Sequence, residues 1–527
     1  MLTKAPLLPR VSDYPAWHAA RSPAAVALAV GGARRSYADL AAAIDALACA
    51  LLAAGVSKGD RVATLCPPHP DFAIAFLATA SIGAIWVGLN PRYRLEELRY
   101  VVADAEPVVL LARTTIRERD YTADIGALAG ASPALRHVVL LDAPPAAAAG
   151  AAVSLEAFIE GGRAVRAERL AAARAACGGR DPCVIVYTSG STGAPKGALL
   201  HHEGIAAFSR TQNEVWPVDP QRMVNYFPIN HIGCLIDCTM PCLVAGGAVV
   251  FMEQFEPAAC LDLMVRERIT IWGSVPSVFQ MQLALPGFDA YDLSAVQLIL
   301  WEGAALPREI IERLLRVCPR LGTNYGMTEA TSAITVVEPT DDVDVLANSV
   351  GYPFPGVQLR IVDEAGGVCA SGRSGEIQTR SAHNFAGYWR RPDATAAAFT
   401  ADGWFRTGDL GELRADGRLR LVGRIKEMYK SGGYNVYPRE IELALEAHPA
   451  VALAAVVAVP DPLWQEVGVA YVATRAPVSA AELAEHCRAR LANYKVPKRV
   501  VIENDLPLLP IGKVDKRALR ERAERER

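Results

Sequence analysis

From Ser36 onward, apolar and polar positions come in blocks of two kinds. The stretch "SYADLAAAIDALACALLAAG" reads as a capped helix ending at Gly55, and "RVATLC" from Arg61 as a short strand. "DFAIAFLATASIG" then predicts a helix, "AIWVGL" a strand, "RLEELRYVVADA" a helix and "PVVLLA" a strand. Strands alternating with helices of this length imply an α/β fold with largely parallel sheets. "APPAAAAGAA" near Ala143 reads as a low-complexity surface connection. Towards the end the texture changes. "GRLRLVGRIKEMYKSGGYNVYPREIELAL" is rich in glycine and charge, and strands at "AVALAAVVAVPD" and "VGVAYVAT" follow around short helices. A break near Arg424 to Lys426 divides the chain into residues 1–425 and a small α+β domain, 426–527.

Composition narrows the class. At 527 residues the chain is too long for one core. Its 51% hydrophobic and 21% charged residues are those of a folded enzyme. A net charge of −3 supplies no basic field for nucleic acid, so affinity for an anion has to be local. The 11 cysteines lack any CxxC pair and suggest neither a disulfide framework nor a zinc site. Cys234, Cys238 and Cys242 recur every four residues, which reads as small buried side chains on one helix face, with a thiolate metal site a remote second. No signal peptide precedes Ser36, and no apolar run approaches the roughly 18 residues a membrane span needs. The expectation is a soluble, cytoplasmic protein.

Chemistry enters at "YTSGSTGAPKG", Tyr187 to Gly197, directly after the apolar run "CVIVY". Gly, Ser and Thr make poor core and cost entropy to order. After a strand, their N–H and hydroxyl groups suit phosphate oxygens, and Lys196 would neutralise charge. The P-loop pattern G-x-x-x-x-G-K-[ST] fails on spacing, because Pro195 stands five residues after Gly190 and Gly197 follows Lys196.

Together with "NYGMTEA", "DGWFRTGDLG", "GRIKEMYKSGGYNVYPREIE" and "PIGKVDKRAL", in that order, the loop resembles the adenylate-forming superfamily, which includes acyl-CoA synthetases, adenylation domains of peptide synthetases and beetle luciferases. The resemblance runs from about Ser36 to Leu519. It implies a large N-terminal domain of mixed, largely parallel sheets flanked by helices and a small mobile C-terminal lid. It also implies ATP, Mg²⁺ and CoA: a carboxylate is a poor electrophile until attack on the α-phosphate of ATP converts it to an acyl-adenylate. That step joins two anions and needs positive charge, oriented donors and a metal ion.

By this resemblance Thr188, Ser189, Gly190, Ser191, Thr192, Gly193 and Lys196 would hold the β- and γ-phosphates. Gly303, Ala304, Ala305, Asn324, Tyr325 and Gly326 would bind ATP, with Tyr325 against the adenine face, Thr328 on the α-phosphate and Glu329 on Mg²⁺, and Gly303 would also leave space along the acyl pocket. Asp409 would take the ribose hydroxyls, with Arg424 on ribose or phosphate. Lys513 would be the catalytic lysine of adenylation and Lys426 the hinge. Gly432, Gly433 and Tyr434 would border the channel for the pantetheine arm of CoA. Asn324 stands where many relatives have Gly, and Leu509 where they have Thr. Each residue alone has a plainer reading: Tyr325 as core, Glu329 as a helix cap, Asp409 as a turn, Lys513 as solvated charge.

The acyl pocket of the superfamily falls between "FPINHIGCLIDCTMP" and "LILWEGAALP". His231 would stand at its mouth in a packing and gating role, Gly233 would leave space, and Trp301 would wall the pocket or fill core. Ile232 replaces the Asp of amino-acid-activating relatives and argues against an α-amino acid. Asp237 and Glu302 either meet a cationic or hydroxylated substrate or point away to solvent or cap a helix. The reading is an acyl-CoA ligase for a medium-sized carboxylic acid. A stand-alone adenylating enzyme that loads a carrier protein and a non-enzymatic nucleotide-binding paralogue are the alternatives. Self-association as a homodimer is left open.

Overall fold

The computed structural model describes residues 5–143, 152–188, 195–509 and 513–526. The low-complexity connection after Ala143 and residues 189–194 of the Ser/Gly loop lie outside the described residues. The helix that opens the pattern runs Tyr37–Ala53. Ser36 Oγ accepts from the Asp39 N–H at 3.1 Å while the Asp39 carboxylate accepts from the Ser36 N–H at 3.0 Å. Such a capping box contributes about 1 kcal/mol to a helix start. Gly55, at φ +78°, follows its end.

Two large sheets are parallel at their centres. In the first, strands Val26–Val30, Ala248–Phe251, Arg222–Asn225, Ile271–Ser274, Leu298–Trp301 and Leu321–Met327 are successive parallel neighbours. In the second, the parallel run is Pro182–Thr188, Ile85–Leu89, Arg61–Leu65, Val109–Ala112, His137–Leu140 and Ala152–Ser154. Antiparallel strands close the edges: Ala33–Ser36, Ser332–Thr340 and Tyr352–Pro353 on the first, Lys196–His201 and Gly387–Tyr388 on the second. Antiparallel edges are the part of the topology that apolar periodicity does not reveal, because short edge strands carry mixed patterns.

The helix Pro70–Ser81 is buried on almost every side, because it lies between the two sheets. The Phe72 ring meets Trp86 of the second sheet at 6.0 Å and Phe251 of the first, edge-on, at 5.6 Å. Each such aromatic, fully removed from water, contributes roughly 1.5–3 kcal/mol. One helix thereby holds the two sheets in fixed relation. Its continuous apolar run is explained by having no solvent face.

A four-stranded antiparallel sheet of Gln358–Val362, Gly375–Arg380, Phe405–Leu413 and Leu419–Arg424 follows. The exposed turn Ile425–Glu427 leads from it to a last sheet. There Tyr434–Val436, Tyr429–Ser431, Gln465–Thr474 and Val451–Asp461 are antiparallel neighbours, and Arg499–Glu503 pairs parallel with Gln465–Thr474. Along Val451–Asp461 the side chains alternate between two cores: Ala454, Val456 and Ala458 face the cluster of Ile441 and Leu483, while Ala455, Val457 and Val459 face that of Leu519 and Ala523. Among the described residues no helix is long and apolar enough to cross a membrane.

Candidate active site

Open parallel sheets bind ligands beyond the carboxyl ends of their strands, where the loops diverge. Here Ser274 is in register with Trp301, and Trp301 with Thr323, so two neighbouring strands end together while Leu321–Met327 runs on beyond them. Leu298–Trp301 passes directly into Glu302, Gly303, Ala304 and Ala305, the last three exposed. Leu321–Met327 passes into the short turn Thr328–Ala330. Gly326 is required there by packing, since a Cβ would lie 1.9 Å from the Ser332 carbonyl oxygen of the adjoining strand.

Asp409 anchors one corner. It is 6% exposed, and its cross-strand neighbour in register is Arg424. Tyr325 donates its hydroxyl to Asp409 Oδ2 at 2.7 Å, and Arg424 Nε meets Oδ1 at 3.0 Å. The Asp409 N–H is held by Thr407 Oγ1 at 3.0 Å. Each carboxylate oxygen has one partner and a second lone pair for an added hydroxyl. Burial and the Asp409 charge hold the Tyr325 phenol far above the usual tyrosine range, so it remains a donor.

Lys513 enters from the C-terminal domain. A Cβ on Gly303 would stand 3.1 Å from Lys513 Cε, so the lysine passes close over this glycine, whose φ of +87° itself favours the absence of a side chain. Protein atoms crowd Lys513 and the Arg424 charge faces it, which pulls the ammonium below the usual lysine range against the opposing charges of Asp409, Glu302 and Glu427. The side chain nonetheless keeps solvent access, as expected of a group lining an open cleft.

His231 is held by the Gly233 N–H, which donates to Nδ1 at 3.0 Å. Burial, then the Lys513 charge, lowers its pKa to about 4. The ring is therefore neutral near pH 7 and, with Nδ1 accepting, its proton sits on Nε2. That makes it a donor rather than a base. Glu302 accepts from Asn324 Nδ2 at 2.8 Å, and Asp237 is its acidic neighbour. Trp301, which the sequence reading places as pocket wall or core, packs in the apolar core. It is 1% exposed and belongs to the apolar cluster of Trp272 and Phe279, because its strand position turns it under the sheet while Glu302 emerges.

Of the phosphate loop, Ser189, Gly190, Ser191, Thr192 and Gly193 lie outside the described residues, but both ends are placed. Thr188 and Lys196 face each other in antiparallel register. Glu329 Oε1 accepts from Tyr388 Oη at 2.9 Å and Thr188 Oγ1 at 3.4 Å, and Lys196 Nζ lies 5.2 Å from the Tyr388 ring centroid. Among the described residues no group of three or more His, Cys, Asp or Glu is arranged for a metal ion. One carboxylate beside a hydroxyl is the oxygen donor set that fits Mg²⁺, which keeps waters and takes its other ligands from substrate phosphates. Tyr388 is the residue that sequence reasoning missed. Its signal was the aromatic pair after Gly387 in "NFAGYWRRPD", a strand that pairs Tyr388 with Ala198 beside the loop.

Other expected residues stand apart. Gly432 and Gly433, at φ +57° and +83°, form an exposed turn; Gly432 N–H donates to the Trp464 carbonyl at 2.8 Å, and Tyr434 stacks on Tyr494 at 4.5 Å. Lys426 is exposed in the turn between the last two sheets. Cys234, Cys238 and Cys242 are all buried, along a π-helical stretch Gly233–Thr239 that continues into Met240–Ala245.

Near the ends of the parallel strands the chain thus gathers lysine and arginine cations, a buried carboxylate with free lone pairs and a carboxylate beside a hydroxyl. The profile of the AMP-binding enzyme family matches residues 15–389, and that of the AMP-binding enzyme C-terminal domain matches 440–513. The chain is 34% identical over 515 residues to a feruloyl-CoA synthase of Amycolatopsis sp., covering 97% of this chain and 99% of that one. It is 35% identical over 517 residues to an indoleacetate–CoA ligase of Aromatoleum aromaticum, covering 97% and 98%. ATP-bound MatB from Rhodopseudomonas palustris superposes with a TM-score of 0.82 at 30% identity, covering 97% of this chain and 99% of that one. The chain belongs to the AMP-binding enzyme family and is an enzyme of its AMP-forming ligase class.

Proposed function

We propose that this enzyme joins a carboxylic acid to CoA in two half-reactions. In the first, a carboxylate oxygen attacks the α-phosphorus of ATP and the bond to the β-phosphate bridge breaks, giving acyl-AMP and pyrophosphate. In the second, the CoA sulfur attacks the acyl carbon and AMP leaves. The observation that carries this reading is the meeting of Lys513 with Gly303 at the strand ends, beside Asp409 and Arg424.

Each group has work suited to its chemistry. Asp409 accepts the ribose hydroxyls while Tyr325 and Arg424 hold its orientation. Lys513 bridges the reacting carboxylate and the α-phosphate, offsetting charge as two anions approach. His231, neutral and protonated on Nε2, donates to the carboxylate without competing for a proton. Thr188 and Lys196, with the loop between them, take the departing pyrophosphate. Magnesium would be held by Glu329 near the Thr188 hydroxyl and, when bound, would neutralise phosphate charge.

Thioester formation requires Lys513 to leave the cleft and the Gly432–Gly433 turn to approach it. We place the pivot at Lys426, between units 1–425 and 426–527, because the chain there is an exposed single turn between two sheets. The relatives named for ferulate and indoleacetate support an aromatic carboxylic acid as the substrate class. Mass spectrometry of products from ATP, Mg²⁺, CoA and a panel of carboxylic acids tests the proposal. A new acyl-CoA with AMP is expected; acyl-AMP without thioester would remove CoA as the acceptor.

A further inference from the structure

Asp237 is an anomaly by ordinary packing rules. It is 6% exposed and sits within the π-helical stretch Gly233–Thr239, which begins two residues after His231. That stretch is pinned from below: Asn225 Nδ2 donates to the Cys234 carbonyl at 2.8 Å and to Thr239 Oγ1 at 3.0 Å. The position of Asp237 is therefore built rather than loose, and π-helical turns of this kind are frequent at functional sites. Its polar neighbours Ser332 and Glu302 draw its carboxyl down from where burial alone would hold it, and the balance leaves it raised to about 6. Neither of its oxygens has a partner in regular hydrogen-bond geometry.

The second carboxyl is Glu302, which directly follows the strand Leu298–Trp301 and precedes Gly303. Asn324 holds it from one side, and Lys513 lies close enough for its charge to act on it. Burial and the charge of Asp237 keep it well above the usual carboxylate range. Two carboxyls brought together out of water are costly, and a pair of apolar side chains would pack the same space at less expense. Ser332 and a protonated Glu302 can share a hydrogen with Asp237, but among the described residues neither carboxyl forms an ion pair, so the charge the pair carries has no cation in contact. A cation carrying N–H groups would both satisfy the free lone pairs of Asp237 and neutralise the pair. His231 and Lys513 mark the end of the cleft where the reacting carboxylate belongs, so the cation would be a distal substituent. Ile232 gives no acceptor for an α-ammonium group.

We propose that Asp237 and Glu302 together select carboxylic acids that bear, away from the reacting carboxylate, an amine protonated at neutral pH. The proposal rests on the ligase reading only in taking this cleft as the acyl pocket.

The test uses sets of isosteric acids in the whole enzyme with ATP and Mg²⁺. One set is para-aminomethyl-, para-hydroxymethyl- and para-ethylbenzoate; another is an ω-aminoalkanoate with its ω-hydroxy and methyl counterparts. ATP–pyrophosphate exchange reads adenylation without CoA. In at least one set the amine should exceed both counterparts in kcat/KM by about tenfold or more, the usual scale of a charged hydrogen bond. Asp237→Asn and Glu302→Gln should bring that ratio towards one. Preference for the alkyl or hydroxyl acid, or a ratio unchanged in both variants, overturns the proposal. Should the variants fail to fold, the wild-type ratios decide alone. Exchange without acyl-CoA would defeat the CoA reading and leave this one standing; acyl-CoA from neutral acids only would do the reverse. If no acid supports exchange, calorimetric titration with the amine and alkyl members reads the same preference, and equal or absent binding overturns it.

Discussion

Lys513 is the residue whose neighbourhood is most specific to its task. Its side chain passes the bare face of Gly303, and its ammonium faces Arg424 and is opposed by Asp409, Glu302 and Glu427. Lys513→Ala should lower the rate of ATP–pyrophosphate exchange by about a hundredfold or more, the scale seen when one charge-stabilising donor is removed from a transition state. ATP affinity, read by calorimetry on the same variant, should change by no more than a few-fold, because Asp409, Arg424 and Tyr325 remain. An equal loss of binding and exchange would assign Lys513 to ground-state nucleotide binding. The motif "PIGKVDKRAL" made this lysine legible in the sequence. Nothing in the motif indicated its contact with Gly303, which depends on the C-terminal domain being docked at the strand ends.

Among elements, the turn at Gly432 and Gly433 has the clearest local demand on its residues. Both adopt left-handed backbone, and a Cβ on Gly432 would lie 2.8 Å from Trp464 Cε3. In the docked arrangement this turn lies among residues of its own domain, with Lys513 in the cleft instead. Gly432→Ala should therefore leave pyrophosphate release within about twofold while slowing thioester formation by about tenfold, since on the proposed mechanism only the second half-reaction brings the turn to the site. Single-turnover assays of the two half-reactions measure this directly, and a matched loss in both would place the turn outside the CoA path. The glycines were visible as a candidate turn. Their strain was not, because Trp464 arrives from the loop between Val451–Asp461 and Gln465–Thr474, and its approach is a product of strand pairing. Tyr388 shows the same limit: it reaches Glu329 only because Gly387–Tyr388 closes the edge of the second sheet.

For the whole molecule, the question is how one cleft would serve the two nucleophiles of the proposed reaction. The docked state is held across the domain boundary by the Arg475–Glu309 ion pair, while within the small domain Lys516 meets Glu427 at 2.6 Å next to the proposed pivot. An exposed ion pair is worth about 0–1 kcal/mol, so this clasp orients the domain without locking it. Lys426→Pro, by fixing the backbone at the pivot, should preserve exchange and reduce acyl-CoA formation by about tenfold or more; parallel assays of both products decide, and unchanged acyl-CoA formation would move the pivot elsewhere. Apolar periodicity was sufficient for the alternating helices and strands, since each element must bury its own face. The ordered motifs were sufficient for the family, since the chemistry of adenylation demands those residue types. The pairing of edge strands, the burial of Trp301, the neutral His231 and the meeting of Asp237 with Glu302 were decided only by the tertiary structure. Each depends on residues distant in the chain becoming neighbours, and hydrophobic period carries no record of which neighbour arrives.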